Sequence, residues 1–374
     1  MKLRSVMIWT IVFWVAAMNS TMAKEPVRIG VPLSMSGTMS AYGQKAWIGV
    51  KLAAKERPKV LDRKVELVLE DDESSSVTAA GVVSELLEKK NIDIIIGPMT
   101  SSASLACGPI IERAGTPAVI PWATNPAITP FRKYLFRTCF IDPFQGMVGA
   151  RFAMEEFKAK SAAVLIDINE DYSVKIGTIF MKKFEEMGGK IVYKALYNRG
   201  QQDFSKQIGE IAAADPDIIY CPCFAEEMAY IAIEAKKQGL KQPMIAGDSA
   251  ESDVLLKTGG KAVEGLFFTS HFDPASVKNK IGKKFVKSFQ KSYPDTPITS
   301  IEALYYDTYN LVLDAINRAG TTDKEKVTAA LAKTKNFEGV TGTMKMNETH
   351  DMIKPVIIMT VNDGKFQWKA TVKP

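Results

Sequence analysis

Apolar residues in this chain come in two spacings that take turns. Short β-branched or aliphatic runs alternate with longer stretches of helical periodicity from Val27 to Phe268. The runs predict strands near Val27–Leu33, Val65–Glu70, Ile92–Ile96, Ala118–Ile120 and Leu135–Arg137. Helices are expected between them, around Ala41–Arg57, Thr78–Lys89 and Ser102–Ala114. The same order then recurs. Strands fall near Ala162–Ile166, Lys190–Leu196, Ile218–Pro222, Met244–Ala246 and Gly265–Phe268, with helices near Val174–Met187, Phe204–Ala214 and Glu226–Gln238. Runs such as Ile94-Ile95-Ile96 are too short for a helix and apolar enough to be buried on both faces. Strands alternating with helices of this length imply parallel sheets built from βαβ units. Two successive sets make an α/β chain of two Rossmann-like lobes.

The remaining sequence does not start a third domain. Asn279–Tyr293 and Ile301–Ala319 read as helices, the second with an apolar stripe of Ala303, Tyr306, Tyr309, Leu313 and Ile316. Lys354–Thr360 and Phe366–Trp368 read as a hairpin around Asn362-Asp363-Gly364. These leftovers must dock on the two lobes, so the chain is expected to cross between lobes more than once, and the crossings form a hinge.

Candidate chemistry concentrates between Ile92 and Thr124. Gly97 and Pro98 break the third strand, and Thr100, Ser101 and Ser102 stand where residues cap a helix N-terminus. The next strand ends in Pro121-Trp122-Ala123-Thr124. In a parallel sheet both turns emerge at the carboxyl edge, where open α/β sheets bind ligands. Helix N-termini there offer free N–H groups and partial positive charge, which suit a carboxylate. Simple capping is the bland alternative for Ser101 and Thr124, and their pairing at successive turns weighs against it.

Compartment and charge narrow the function. Lys2 and Arg4 precede an apolar core from Val6 to Ala17, and Thr21-Met22-Ala23 supplies small residues at a cleavage site. Residues 1–23 therefore read as a secretory signal peptide. About 350 residues would remain, enough for two cores. The formal net charge of +6 is spread over the chain, with Lys182-Lys183, Lys236-Lys237 and Lys283-Lys284 as solvated helix faces, so no nucleic-acid surface is expected. Cys107 and Cys139 could pair in an exported protein or remain buried thiols, whereas a Cys221–Cys223 bridge would be strained. His271 and His350 are the two histidines and neither is near a cysteine in sequence, which disfavours a metal site. Asp71-Asp72-Glu73 reads as a solvated loop. No phosphate loop, dinucleotide fingerprint, nucleophile elbow or zinc-protease motif is present. Binding without turnover, with no cofactor, is the favoured class.

The ordered motifs resemble the periplasmic solute-binding proteins of the branched-chain amino acid (leucine/isoleucine/valine) ABC transporter family. Pro32-Leu33-Ser34-Met35-Ser36-Gly37 with Ala41-Tyr42-Gly43 is similar to that family's first loop and helix. Gly97-Pro98 with Ser101, then Pro121 with Ala123-Thr124, resembles its carboxylate-binding turns. Phe136-Arg137-Thr138, Asp142 and Gln145-Gly146 resemble the crossing into the second lobe, and Tyr306-Asp307 with Ala315-Ile316 and Ala319-Gly320 resembles its late helix. The resemblance implies a type I periplasmic binding protein: two lobes, a three-strand hinge and a ligand enclosed between the lobes. Residues 24–141 with 272–355 would form lobe 1, and 142–271 with 356–374 lobe 2.

It further implies that Ser101 and Thr124 bind a ligand carboxylate, that Thr124 and the Trp122 carbonyl meet its ammonium, and that Asp248 supplies the counter-charge. Ala123 belongs to the same turn. Tyr172 and Phe224 would form an aromatic wall on lobe 2, and Tyr42 would sit at the edge of lobe 1. The implied partners are an amino acid or related small carboxylate and the permease subunits of an ABC transporter, with the protein itself a periplasmic monomer. Trp122 stands where leucine-binding relatives have a small residue and Phe224 where they have tyrosine. Phe144 adds bulk near the crossing, and Asp248 is shorter than the usual glutamate. A ligand-sensing module that signals to a membrane receptor is the alternative, because one fold serves both uses.

Overall fold

The computed structural model describes residues 24–374. The signal-peptide reading of residues 1–23 lies outside the described residues. The chain opens with β1 (Val27–Leu33), α1 (Ser40–Glu56), β2 (Lys59–Val60), β3 (Arg63–Asp71) and α2 (Ser76–Lys89). β4 (Ile94–Ile96), α3 (Ser101–Ala114), β5 (Ala118–Ile120) and β6 (Leu135–Arg137) follow. They form one sheet in the order β2-β3-β1-β4-β5-β6. Only the β2–β3 pair is antiparallel. Ile94, Ile95 and Ile96 are fully buried, as a strand covered on both faces requires. Each contributes roughly 1.5–3 kcal/mol by leaving water.

The chain then enters a second sheet through α4 (Asp142–Phe157). β7 (Ser161–Asp167), α5 (Asp171–Glu186), β8 (Lys190–Tyr197), α6 (Ser205–Ala214), β9 (Ile218–Cys221) and α7 (Ala225–Lys237) follow. β10 (Met244–Ala246), α8 (Asp253–Gly259) and β11 (Phe267–Ser270) complete this passage. It returns to the first lobe for α9 (Lys280–Ser292), α10 (Ser300–Ala319) and α11 (Lys324–Ala332), with α10 packed along α1. A small sheet of β12 (Phe337–Gly339), β13 (Gly342–Met346) and β14 (Met352–Ile353) comes next. Finally β15 (Val356–Asn362) and β16 (Lys365–Val372) add an antiparallel edge to the second sheet, whose order is β16-β15-β11-β10-β9-β7-β8. Among the described residues the chain thus passes between the two larger sheets three times, in the segments after β6, β11 and β14.

Three features differ from the sequence reading. Residues 142–157 form a helix that the apolar pattern did not announce. The buried face of α4 includes Gly146, Gly149, Ala150 and Ala153, so it approaches α5 closely without a wide apolar stripe. The terminal hairpin extends to Val372, beyond the expected Phe366–Trp368, and begins at Val356; Asp363 and Gly364 take positive φ in its turn. Phe144 does not face the site. It packs with Phe140, Val148, Val356 and Ile358 behind the first crossing. Cys107, Cys139, Cys221 and Cys223 are all buried free thiols, which settles the open alternative of a Cys107–Cys139 bridge.

Candidate functional site

The carboxyl ends of the two parallel sheets face each other across a closed cleft. On lobe 1, Thr100 is the residue that caps α3, its Oγ1 accepting from the Ala103 N–H at 3.2 Å. This leaves Ser101, one position on, free to turn into the cleft. Its Oγ accepts from the Asn125 N–H at 3.3 Å. Gly97 makes the turn before it at φ +130°, a backbone conformation that suits glycine. The second turn, after β5, carries Trp122, Ala123 and Thr124. Arg137, fully buried in β6, holds this turn by donating to the Ala123 carbonyl at 3.0 Å, and pairs with Asp351 at 2.5 Å.

Lobe 2 supplies Tyr172 from the first turn of α5, Phe224 at the N-cap of α7, and Asp248 just after β10. A small, tightly closed cavity lies between the lobes, lined by Ser101, Trp122, Ala123, Thr124, Tyr172, Phe224 and Asp248. Met99, Thr100 and Ser249 complete the lining; the sequence reading had not named them as contacts. Tyr42 stands one layer back. Its ring stacks on Trp122 at 5.3 Å and meets Phe224 edge-on at 5.8 Å. Its hydroxyl accepts from the Ala225 N–H at 2.9 Å and donates to the Ser249 carbonyl at 2.8 Å, joining lobe 1 to lobe 2. Thus seven of the eight sequence-named residues meet in one cavity, and the eighth braces its aromatic wall.

Asp248 is the electrostatic centre. Its Oδ1 accepts from Gln145 Nε2 at 2.7 Å and from the Tyr172 hydroxyl at 2.9 Å, and its Oδ2 lies 2.9 Å from His271 Nε2. Gly247 makes room for this network: a Cβ there would lie 1.9 Å from the Tyr172 hydroxyl oxygen. Burial pushes the His271 imidazole down to about 4, against the pull of Asp248, so at neutral pH the ring is uncharged. Its Nε2–H then donates to the carboxylate. Among the described residues no lysine or arginine lies within ion-pair distance of Asp248. The Asp248 carboxyl is therefore held by three uncharged groups and faces the cavity without a cationic partner among the described residues.

Other polar atoms in or beside the cavity also lack protein partners. Trp122 Nε1 and Thr124 Oγ1 are buried without a hydrogen bond of good geometry among the described residues. Buried polar groups of this kind call for a partner. The Asp142 carboxyl lies near Thr124, and burial pushes it up to about 8. Around the mouth the lobes are latched. Glu170 of lobe 2 accepts from the Ser102 hydroxyl at 2.9 Å and pairs with Arg199 at 2.8 Å, while the Arg199 guanidinium lies 4.3 Å over the Phe224 ring. Gln145 and His271 are not legible as site residues in the sequence because they sit in or next to the crossings, which only the fold brings against Asp248.

The whole described chain has known relatives. The periplasmic binding protein family matches residues 26–365. A leucine binding protein, LivK, from Thermotoga maritima is 40% identical, superposes with a TM-score of 0.91, and is matched over 93% of this chain and 99% of its own. The branched-chain amino acid transporter binding protein LivJ from Streptococcus pneumoniae, solved with isoleucine, is 28% identical with a TM-score of 0.88, over 94% of this chain and 100% of its own. A leucine-, isoleucine-, valine-, threonine- and alanine-binding protein of Pseudomonas aeruginosa is 27% identical over 89% of this chain and 88% of its own. The chain belongs to the periplasmic binding protein family and has its type I fold. Proteins of this family bind solutes without turning them over, and this chain is not an enzyme.

Proposed function

We propose that this member of the periplasmic binding protein family captures an amino acid, or a closely related small carboxylate, between its two lobes and delivers it to the permease of an ABC transporter. The observation that carries the reading is Asp248, a buried carboxylate held by three uncharged donors across a small cavity from two hydroxyls and a helix N-terminus. That arrangement matches a zwitterion. The ligand carboxylate would meet Ser101, Thr124 and the positive end of α3, and its ammonium would meet Asp248. Trp122, Phe224 and Tyr172 would enclose its side chain. Micromolar binding needs only about −8 kcal/mol, within reach of a few charge-assisted bonds plus apolar burial.

The same reading divides the chain into lobe 1 (residues 24–141 and 272–355) and lobe 2 (142–271 and 356–374). It also makes the protein an exported monomer in the periplasm, released from the signal peptide at residues 1–23. Names of relatives that bind leucine, isoleucine, valine, threonine or alanine support the amino acid class. A thermal-shift screen of the twenty amino acids, aromatic carboxylates and small amides tests it. A ligand that binds only the folded protein raises the melting temperature by mass action. At least one amino acid is expected to do so, and stabilisation by amides alone would sink the reading.

A further inference from the structure

His271 occupies an unusual place. It is the first residue after β11, in the second crossing between lobes. One ring nitrogen reaches into the site at Asp248, 2.9 Å away. The ring face lies on Phe140 of the first crossing, with centroids 3.7 Å apart and planes 21° apart. From the third crossing, Lys354 adds a positive charge that opposes protonation of the imidazole. Asp248 and Lys354 are the titratable groups that face the ring, and Nδ1 has no hydrogen-bond partner among the described residues. One side chain of the second crossing, fully buried, therefore touches both the cleft carboxylate and the first crossing.

We infer that His271 is the positioning residue for amine recognition: as a neutral Nε2–H donor stacked on Phe140, it fixes Asp248 against the hinge without neutralising it. This rests on the proposed function and specifies how the ammonium is read. The chemistry has two halves. A donor is needed, because a carboxylate facing a dry cavity must be held in one orientation to act as a counter-ion. A neutral donor is needed, because a lysine or arginine in its place would supply the counter-charge internally and leave the ligand's ammonium nothing to gain. Gln145 and Tyr172 hold the other carboxylate oxygen, so His271 alone fixes Oδ2 among the described residues. Because the ring also touches Phe140, the position of Asp248 and the position of the hinge are set by one contact surface.

The test pairs ligands that differ only in the amine. L-leucine, L-phenylalanine and any amino acid that raises the melting temperature are titrated alongside their 2-desamino acids, 4-methylpentanoate and 3-phenylpropanoate for the first two. The proteins are wild type, His271→Gln and His271→Phe. Phenylalanine keeps the stack on Phe140 and removes the donor; glutamine keeps a donor. His271→Phe should weaken the amino acids by about 10- to 100-fold, the range for a lost hydrogen bond to a charged group, and the desamino acids by less than about 3-fold. His271→Gln should recover most of the loss. Nitrogen-15 NMR of the ligand-free protein at pH 7 should show a neutral Nε2–H tautomer, with His350 as the one other histidine to assign. Equal losses for both ligand classes, no loss in His271→Phe, or an imidazolium or Nδ1–H form would overturn the proposal alone. Wild-type protein that binds desamino acids but no amine-bearing probe overturns the proposal and leaves the small-carboxylate reading standing, and wild-type protein that binds neither class overturns both.

Discussion

The two walls of the cleft are built in opposite ways. Lobe 1 offers hydroxyls and a helix N-terminus from two turns at neighbouring strands, and each turn is a local feature of a few residues. Lobe 2 offers a charge, and holding it takes Gln145 on α4, Tyr172 on α5 and His271 after β11, three places far apart in sequence. Neutral donors on turns are aimed by the backbone that forms the turn, here with Arg137 and Asp351 bracing the second turn from behind. A carboxylate taken out of water needs several partners to offset its lost hydration, and no single loop can provide them. The difference teaches that charge recognition costs more architecture than dipole recognition.

The largest test of that contrast removes the charge. Asp248→Ala is expected to weaken amino acid binding by roughly 2–5 kcal/mol, because a buried ammonium would lose its counter-ion. Calorimetry on the folded variant decides it; unchanged affinity would place the ammonium, or the ligand, elsewhere. On the opposite wall, Ser101→Ala and Thr124→Ala should each cost about 1.5–3 kcal/mol, the range for hydrogen bonds to charged groups. Methyl esters of a bound amino acid should bind poorly to wild type, and an ester as tight as the free acid would break the assignment of lobe 1 to the carboxylate.

A third test asks whether the walls act together. The ligand can drive closure only by binding the closed arrangement better than an open one, which requires contact with both lobes. Solution scattering should show a smaller radius of gyration with a bound amino acid, and Tyr172→Ala should reduce both the change and the affinity. No change in radius at saturation would favour a site within one lobe.

The smallest effect concerns pH. Glu251 of lobe 2 accepts from Ser300 of lobe 1, with Ser300 Oγ at 2.6 Å, and burial pushes its carboxyl up to about 8. A carboxyl whose folded value exceeds its unfolded value near 4.3 binds more protons when folded. Its contribution is therefore full at acidic pH and is lost as pH rises toward 8. Glu251→Gln should gain melting temperature relative to wild type between pH 5 and pH 9. A constant offset across that range would show that Glu251 does not titrate there.

The sequence by itself determined the βαβ order, the two sets of strands and the turns at Ser101 and Thr124. These rest on period, chain-breaking residues and helix caps within a few positions of one another. It also pointed to Asp248 and Tyr172 as separate residues. Tertiary structure alone decided that Gln145, Tyr172 and His271 converge on Asp248, and that Tyr42 braces the wall across the lobes. It decided too that Phe144 lies behind the crossing and that α4 is a helix whose face of glycine and alanine packs against α5. Local patterns are legible because the same few residues both make and display them. A network whose members are 23 to 126 positions apart leaves no such trace, because only the packing of two lobes and three crossings brings its atoms within 3 Å.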